Sequence, residues 1–478
     1  MFSYSILKKL NQISIIPVRF KHPPNHWSVL RKKIHPIDKA LQHFDDFYLK
    51  VFEKKWDSIR EGLLGKQKYV AVVNNYSDRE VIMSELELMG ALNMRTLFTL
   101  EKQYLKDEFE SKNRKSRLEK IWKMEEQIDE SLNQVIAETK EFQANQFSLE
   151  KSLQDAEIDK ERMIDPQNAL SAEILQEFVP ATKLKGREDF IPESHHYNTF
   201  DTSVFDVKVQ KEYDIHFPEN LNVYCYEIHN FSDFKSPKCG STGVLGYYLM
   251  DGGSVLPVLA LNLKPGCSML DVCASPGGKS LLALQTLYPD SVTSNDVSNS
   301  RVSRIENVYR QFLYDLDERW LKTGRIKLTN QDGRYLEGER FDRVLVDVPC
   351  TTDRHSLKEN DNNIFKPSRI KERLRLPEVQ SEILFNALKL VNVGGVVVYS
   401  TCTLSPIQND GVIHMTLRRI WEETDLSFVV CDLSPALLHT RRVFQMADQN
   451  LLRFGHLVLP IKSQNYGPTY FCKLQREK

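Results

Sequence analysis

The chain of 478 residues is long enough for two or three domains at roughly 150 residues each, and its 41% hydrophobic content can fill cores of ordinary size. Sixty-four Lys and Arg nearly cancel 65 Asp and Glu, and a net charge of −1 argues against a uniformly basic nucleic-acid coat while allowing a local basic groove. No apolar run approaches the roughly 18–20 residues of a membrane helix.

The amino terminus is free of acid before Asp38 but carries Lys8, Lys9, Arg19, Lys21, Arg31, Lys32 and Lys33, with Ser3, Ser5 and Ser14 set among Phe2, Ile6, Leu7, Leu10, Ile13, Ile15 and Ile16. An Arg-bearing, acid-free, amphipathic leader fits a mitochondrial targeting segment over residues 1–30, with the matrix as destination; a disordered basic arm is the blander reading. Residues 31–100 read as mostly helical, with Ile82, Leu86, Met89 and Leu92 spaced to share one core-facing helix side. Residues 101–165 hold 17 acids and 12 bases without Gly or Pro, the composition of a solvated helix or helical pair with i,i+4 charge partners. An insertion without chemistry or a partner-docking arm would both fit. Charge therefore divides into +6 over 1–100, −5 over 101–165 and −2 over the remainder.

Residues 166–262 form an extension that leads into the catalytic part, 263–478. Within the extension, 221–228 alternate as a strand. From SMLDV at 268 onward, short apolar strands (SVTSNDV, RIKLTN, FDRVLVDV, GGVVVYST) alternate with helical stretches. That alternation predicts an α/β fold with a mostly parallel, doubly wound, Rossmann-like sheet. GHLVLPI and PTYFCKL lack a helix between them and read as an antiparallel hairpin closing the sheet edge.

The first strand of that sheet runs into Cys273-Ala274-Ser275-Pro276-Gly277-Gly278-Lys279 and then a helix, where glycines let backbone N–H groups approach a ligand. A tight strand-to-helix turn would account for this motif equally well. Asp296 ends the next strand, placed to accept ribose hydroxyls; Asp332 follows the third, within reach of an adenine edge; Asp347 ends the fourth. As helix N-caps these acids would need no ligand. An acidic edge suits a cationic adenosine ligand better than a dinucleotide pyrophosphate, and S-adenosylmethionine has that form.

Of eight cysteines none forms a C-x-x-C pair, so no metal site is expected. Cys350, in Asp347-Val348-Pro349-Cys350, and Cys402, in Thr401-Cys402, fall at equivalent ends of successive strands, which puts two thiols beside the cofactor loop. Carbon 5 of cytosine is a poor nucleophile, and a thiolate adding to carbon 6 makes the ring an enamine able to attack a sulfonium methyl. Asp347 could support ring N3 if protonated. Lys279 is a candidate cation for lowering the thiol pKa.

The set CASPGGK, Asp296, Asp332, DVPC and STC resembles the Nop/Sun (Fmu-like) RNA cytosine-5 methyltransferases, S-adenosylmethionine-dependent enzymes of the class I fold. DVPCTTDRHSLKENDNNIF at 347–365, KKWDSIR near the amino terminus and YGPTYFCK near the end look like the mitochondrial ribosomal-RNA branch of that family. The resemblance implies that Cys402 is the nucleophile and Cys350 the thiol that helps product release. It implies that residues 273–279, Asp296, Arg301, Asp332, Gly333 and Asp347 hold the cofactor. DNA cytosine methyltransferases use the Pro-Cys thiol as nucleophile instead, so the Thr-Cys thiol points to RNA. It also implies mitochondrial small-subunit ribosomal RNA as substrate, a role in ribosome assembly, and a helical-repeat partner of the mTERF family. Two positions depart from the family: Met250-Asp251 replaces Gln-Asp, and Gln408-Asn409-Asp410 replaces Glu-Asn-Glu, the latter expected to matter less.

Without an added RNA domain, local basic patches must steer the substrate. Lys366, Arg369, Lys371, Arg373 and Arg375 could rim the cleft or form a solvated helix face, and Arg354 and His355 could meet a phosphate or orient their loop. The competing functions are an assembly factor with dispensable catalysis and a mitochondrial transfer-RNA cytosine-5 methyltransferase.

Overall fold

The computed structural model describes residues 35–108 and 207–478. The described residues up to 95 and from 207 onward belong to one compact unit. Residues 96–108 belong to a second unit and are helical. The expected leader, 1–30, and all of the charged segment beyond 108 lie outside the described residues.

Helix α1 (Pro36–Phe52) starts with Pro at its first turn and carries Asp38 there, where a carboxylate favours the positive helix end. Ala40, Phe44, Tyr48 and Phe52 recur every four residues and form its buried face. Each aromatic side chain withdrawn from water contributes on the order of 1.5–3 kcal/mol. Phe44 meets Phe365 edge-on, with centroids 5.2 Å apart. Helix α2 (Trp56–Leu64) follows. Strand β1 (Tyr69–Val73) then interrupts a region read as mostly helical. Its YVAVV sequence is β-branched and apolar, a strand signal too short to register against the helical periodicity around it.

Helix α3 (Arg79–Leu88) buries Ile82 and Leu86 as the spacing predicts, but Met89 and Leu92 do not continue it. Gly90, at φ +78°, reverses the chain, with the Ala91 N–H donating to Leu86 and the Gly90 N–H to Glu87. Leu92 then starts strand β2 (Leu92–Asn93). With β4 (Val223–Cys225) and β5 (Tyr247–Asp251) these strands form a four-stranded antiparallel sheet in the order β2-β4-β1-β5. All three residues of β4 are buried, so the alternation expected over 221–228 is absent: helix α3 and the loop carrying Phe234 cover the sheet.

The main sheet contains β3 (Val209–Lys211), β6 (Cys267–Asp271), β7 (Pro289–Asn295), β8 (Ile326–Thr329), β9 (Phe341–Asp347), β10 (Val391–Thr401), β11 (Phe428–Asp432), β12 (His456–Val458) and β13 (Thr469–Arg476). The strand order is β3-β11-β13-β10-β9-β6-β7-β8, with β12 paired beside β13. Strands β10, β9, β6, β7 and β8 run parallel, as do β3 and β11, and β13 alone runs against its neighbours β10, β11 and β12. This is the expected mostly parallel, Rossmann-like sheet. One detail differs. The hairpin does not close the edge, because β13 is inserted between β10 and β11. Its TYFCKLQR sequence is almost entirely buried, as an interior strand requires.

Helices α4 (Val255–Ala260), α5 (Gly278–Gln285), α6 (Asn299–Phe312), α7 (Asp353–Lys358), α8 (Ile370–Lys389) and α9 (Val412–Glu423) complete the fold. Strand order reverses between β6 and β9, and at this switch the loops after β6, β7, β9 and β10 converge.

Candidate active site

The parallel register aligns the two cysteine-bearing strand ends: Ser400 of β10 stands opposite Asp347 of β9. Cys350 and Cys402 leave these strands, and their sulfurs meet at 3.2 Å. Cys402 is exposed as a residue and Cys350 is buried. The Cys402 thiol nevertheless lies against Cys350, and its pKa is pushed well above the ordinary value. The Cys350 contact is the leading cause, followed by burial and the Asp347 charge; Lys279 pulls the other way. The expected lowering by Lys279 is thus present but outweighed, because two adjacent thiols cannot both ionise.

Lys279 donates to Asp347 Oδ2 at 2.7 Å, and Ser400 donates to Oδ1 at 2.7 Å. Burial opposes the lysine charge, but Asp347 outweighs it and holds the ammonium above its usual pKa.

The loop 273–279 turns through Gly277, at φ +108°, into α5. A Cβ on Gly278 would lie 2.8 Å from the Tyr248 ring, and one on Gly333 would lie 2.7 Å from Val272. Asn295 braces the floor of this edge. Its amide donates to Val272 and Gln331 carbonyls, and its oxygen accepts from Gln331 N and Thr329 Oγ1. Asp296 is almost fully buried, with Ser298 N donating to Oδ1 and Arg301 Nε 3.4 Å from Oδ2. Oδ2 has no hydrogen-bond partner in the protein. Asp332 accepts from its neighbour Arg334 through both oxygens and caps the short turn that begins at Gly333. Its carboxyl is held below the ordinary range, chiefly by Arg334.

Residues 258–440 match the family described as 16S rRNA methyltransferase RsmB/F. The chain is 32% identical to the 5-cytosine rRNA methyltransferase NSUN4 of Mus musculus over 98% of its own length and 97% of that protein. It is 34% identical to the Caenorhabditis elegans protein nsun-4 of the same description, over 92% of each. A mitochondrial tRNA (cytosine(34)-C(5))-methyltransferase of Mus musculus is 33% identical over 55% of this chain and 72% of that one. The chain belongs to this family of RNA cytosine-5 methyltransferases.

The cofactor of this methyltransferase is S-adenosylmethionine, and the edge suits it. Asp296 Oδ2 is a buried acceptor without a donor, which a ribose hydroxyl can supply. Cys273 sits in the negative field of the site. Burial first, then Asp271, Asp296 and Asp347, push its thiol well above its ordinary pKa. Such a field favours a sulfonium.

Two regions read as RNA contacts are taken up by the methyltransferase itself. Arg354 is buried and donates to the Gly467 carbonyl through Nε and Nη2, to Gly62 through Nη1 and to Asn465 Oδ1, so it orients its loop rather than facing a phosphate. Arg369 pairs with Glu372, Arg375 with Glu378, and Arg373 lies over the Phe365 ring at 4.4 Å. The i,i+3 acids thus pair two of the five bases of the stretch.

Residues 408–410 brace both cysteine loops, through the substituted Gln408 and the retained Asn409. Gln408 Oε1 accepts from Thr351 N, next to Cys350, and Asn409 bonds Thr401 and Thr403, on either side of Cys402. Asp251 is a brace, accepting from Gln67 and from the Gly467 N–H. Asp353, Tyr48, Asn295 and Gln380 were not legible as site residues, because their partners lie tens to hundreds of positions away.

Proposed function

We propose that this enzyme methylates carbon 5 of a cytosine in mitochondrial small-subunit ribosomal RNA, with Cys402 as the nucleophile and Cys350 as the thiol that aids release. The observation that carries this reading is the 3.2 Å contact between the two sulfurs at adjacent strand ends, beside the Lys279–Asp347 pair. Residues 273–279, Asp296, Arg301, Asp332, Gly333 and Asp347 would hold S-adenosylmethionine, which supplies an electrophilic methyl group on a sulfonium. Cys402 thiolate adds to carbon 6, and the carbon 5–carbon 6 π electrons shift to make carbon 5 nucleophilic. Asp347, with the Lys279 ammonium 2.7 Å away, would support ring N3 of the adduct. After methylation a base takes the carbon 5 proton, the double bond re-forms and the Cys402 sulfur leaves.

The ribosomal-RNA relatives that match over nearly the whole chain support the substrate, and the acid-free sequence of residues 1–30 supports delivery to the mitochondrial matrix. We assign catalysis to 263–478 and a role in ribosome assembly to the whole chain. A nearly neutral body has little field to hold RNA, which supports a partner of the mTERF family as the RNA-holding component. Among the described residues no helix is long and apolar enough to cross a membrane.

Labelled S-adenosylmethionine with mitochondrial small-subunit ribosomal RNA tests the reading. Label should appear at cytosine carbon 5 with the wild type and vanish in Cys402→Ala. Cys350→Ala should accumulate a covalent protein–RNA adduct. Label confined to transfer RNA would move the enzyme to that substrate. Full rescue of ribosome assembly by Cys402→Ala would make catalysis dispensable.

A further inference from the structure

We propose that Asp353 is a positioning residue: its carboxylate fastens the Cys350 loop, the Cys402 loop and helix α1 to one point, so that both thiols address the same cytosine ring. The inference rests on the two-thiol reading above and deepens it.

Asp353 is fully buried at the start of α7, three residues after Cys350. Its Oδ1 accepts from Thr351 Oγ1 at 2.7 Å and from Thr403 Oγ1 at 2.8 Å. Its Oδ2 accepts from the Leu404 N–H at 2.8 Å and from the Tyr48 hydroxyl at 2.8 Å. Thr351 and Thr403 each follow one of the two cysteines directly, and their hydroxyls are 2.8 Å apart. Four donors from three chain segments thus converge on one carboxylate.

Among the described residues no Lys, Arg or His forms an ion pair with Asp353, so hydrogen bonds alone work against burial, which still pushes its carboxyl above the ordinary range. Such a cluster is an expensive way to gain stability, since packed apolar side chains would serve as well. What it provides beyond packing is direction: each donor has one bearing, and together they fix the two loops relative to each other. Gln408 and Gln380 act from the other side. Gln380 donates to the Pro349 carbonyl and to Gln408, which in turn holds Thr351 N. Reacting groups displaced by about 1 Å lose on the order of 100-fold in rate, so a loosened clamp should act on turnover rather than on cofactor binding.

The test compares Asp353→Asn, Thr403→Val and Thr403→Ser in the full chain. Readouts are melting temperature, kcat, KM for S-adenosylmethionine, the rate of adduct formation in a Cys350→Ala background, and the rate at which diamide oxidises Cys350 and Cys402 to a disulfide without RNA. In that last reaction the diazene takes up the two thiol hydrogens as the sulfurs join. Asp353→Asn and Thr403→Val should lower kcat by about 10- to 100-fold, leave the cofactor KM within about twofold, and slow both adduct and disulfide formation. Thr403→Ser, which keeps the hydroxyl, should restore all three rates. The proposal is overturned if diamide and adduct rates stay at wild-type values, or if Ser and Val fall together in step with melting temperature. Absence of any adduct in Cys350→Ala alone would instead sink the two-thiol reading, and the diamide rates would still report on the clamp.

Discussion

Cys350 and Cys402 hold their sulfurs 3.2 Å apart although 52 residues separate them, and this contact is the leading influence on the Cys402 thiol. A thiolate at Cys402 must form beside a second sulfur and the Asp347 carboxylate, and both raise its pKa. The Cys402 thiol is therefore held toward its protonated form. The arriving substrate, or a bound cation, must tip the balance.

Removing the leading cause should release the thiol. In Cys350→Ala, alkylation of Cys402 by iodoacetamide should follow a pH profile displaced to lower pH, with a faster rate at pH 7.5 than in the wild type. Mass spectrometry of the Cys402 peptide measures it. An unchanged profile would mean that burial and Asp347, not the neighbouring sulfur, set the acidity.

Gly278 is required by a close approach. A Cβ there would stand 2.8 Å from the Tyr248 ring and 3.0 Å from its hydroxyl, at the first turn of α5. Gly278→Ala should weaken S-adenosylmethionine binding, because overpacking pushes side chains off their rotamers and shifts the backbone of the loop. Adding Tyr248→Leu should recover most of the loss. Calorimetric titration of the two variants decides between this clash and a purely local helix effect, which the second substitution would not relieve.

How much of this was readable beforehand depended on range. The parallel strands announced themselves as local apolar runs such as FDRVLVD, and the acids at 296, 332 and 347 followed from their positions at strand ends. The placement of β13 between β10 and β11 was not readable, because nothing local distinguishes an interior strand from an edge strand when both are apolar. The roles of charged residues were the least legible. Arg354 stands in a polar stretch, and Gly62, Asn465 and Gly467, all far off in sequence, make it a buried brace. Asp332 caps a turn and pairs with Arg334, two residues on, a local partner that its position after a strand does not announce.

Arg354 offers a direct check of that point. Arg354→Lys keeps the charge but loses the planar fork that reaches two backbone carbonyls and an amide oxygen at once. With each such hydrogen bond worth about 1.5–3 kcal/mol, the variant should lose at least about 2 kcal/mol of stability by denaturant unfolding. RNA affinity of the folded fraction should stay unchanged. A selective loss of RNA binding at full stability would restore the phosphate-contact reading.

His456 makes the stability of the catalytic core depend on acid. The imidazole is buried in β12, and its Nε2 accepts from the Leu433 N–H at 3.0 Å, which requires that nitrogen to be unprotonated. Burial lowers its pKa to about 4, with Asp432 opposing. In the unfolded chain the same group takes up a proton near pH 6.5. Between these values the unfolded state binds more protons than the native state, so stability rises with pH there and is lost as pH falls from about 6.5 through 4. The slope from this one group is at most about 1.4 kcal/mol per pH unit. His456→Asn cannot titrate. It should be less stable than the wild type at pH 7.5, and the gap should narrow steadily between pH 6.5 and 4.5 in urea melts. A gap that stays constant over that range would show that His456 is not the proton-linked group.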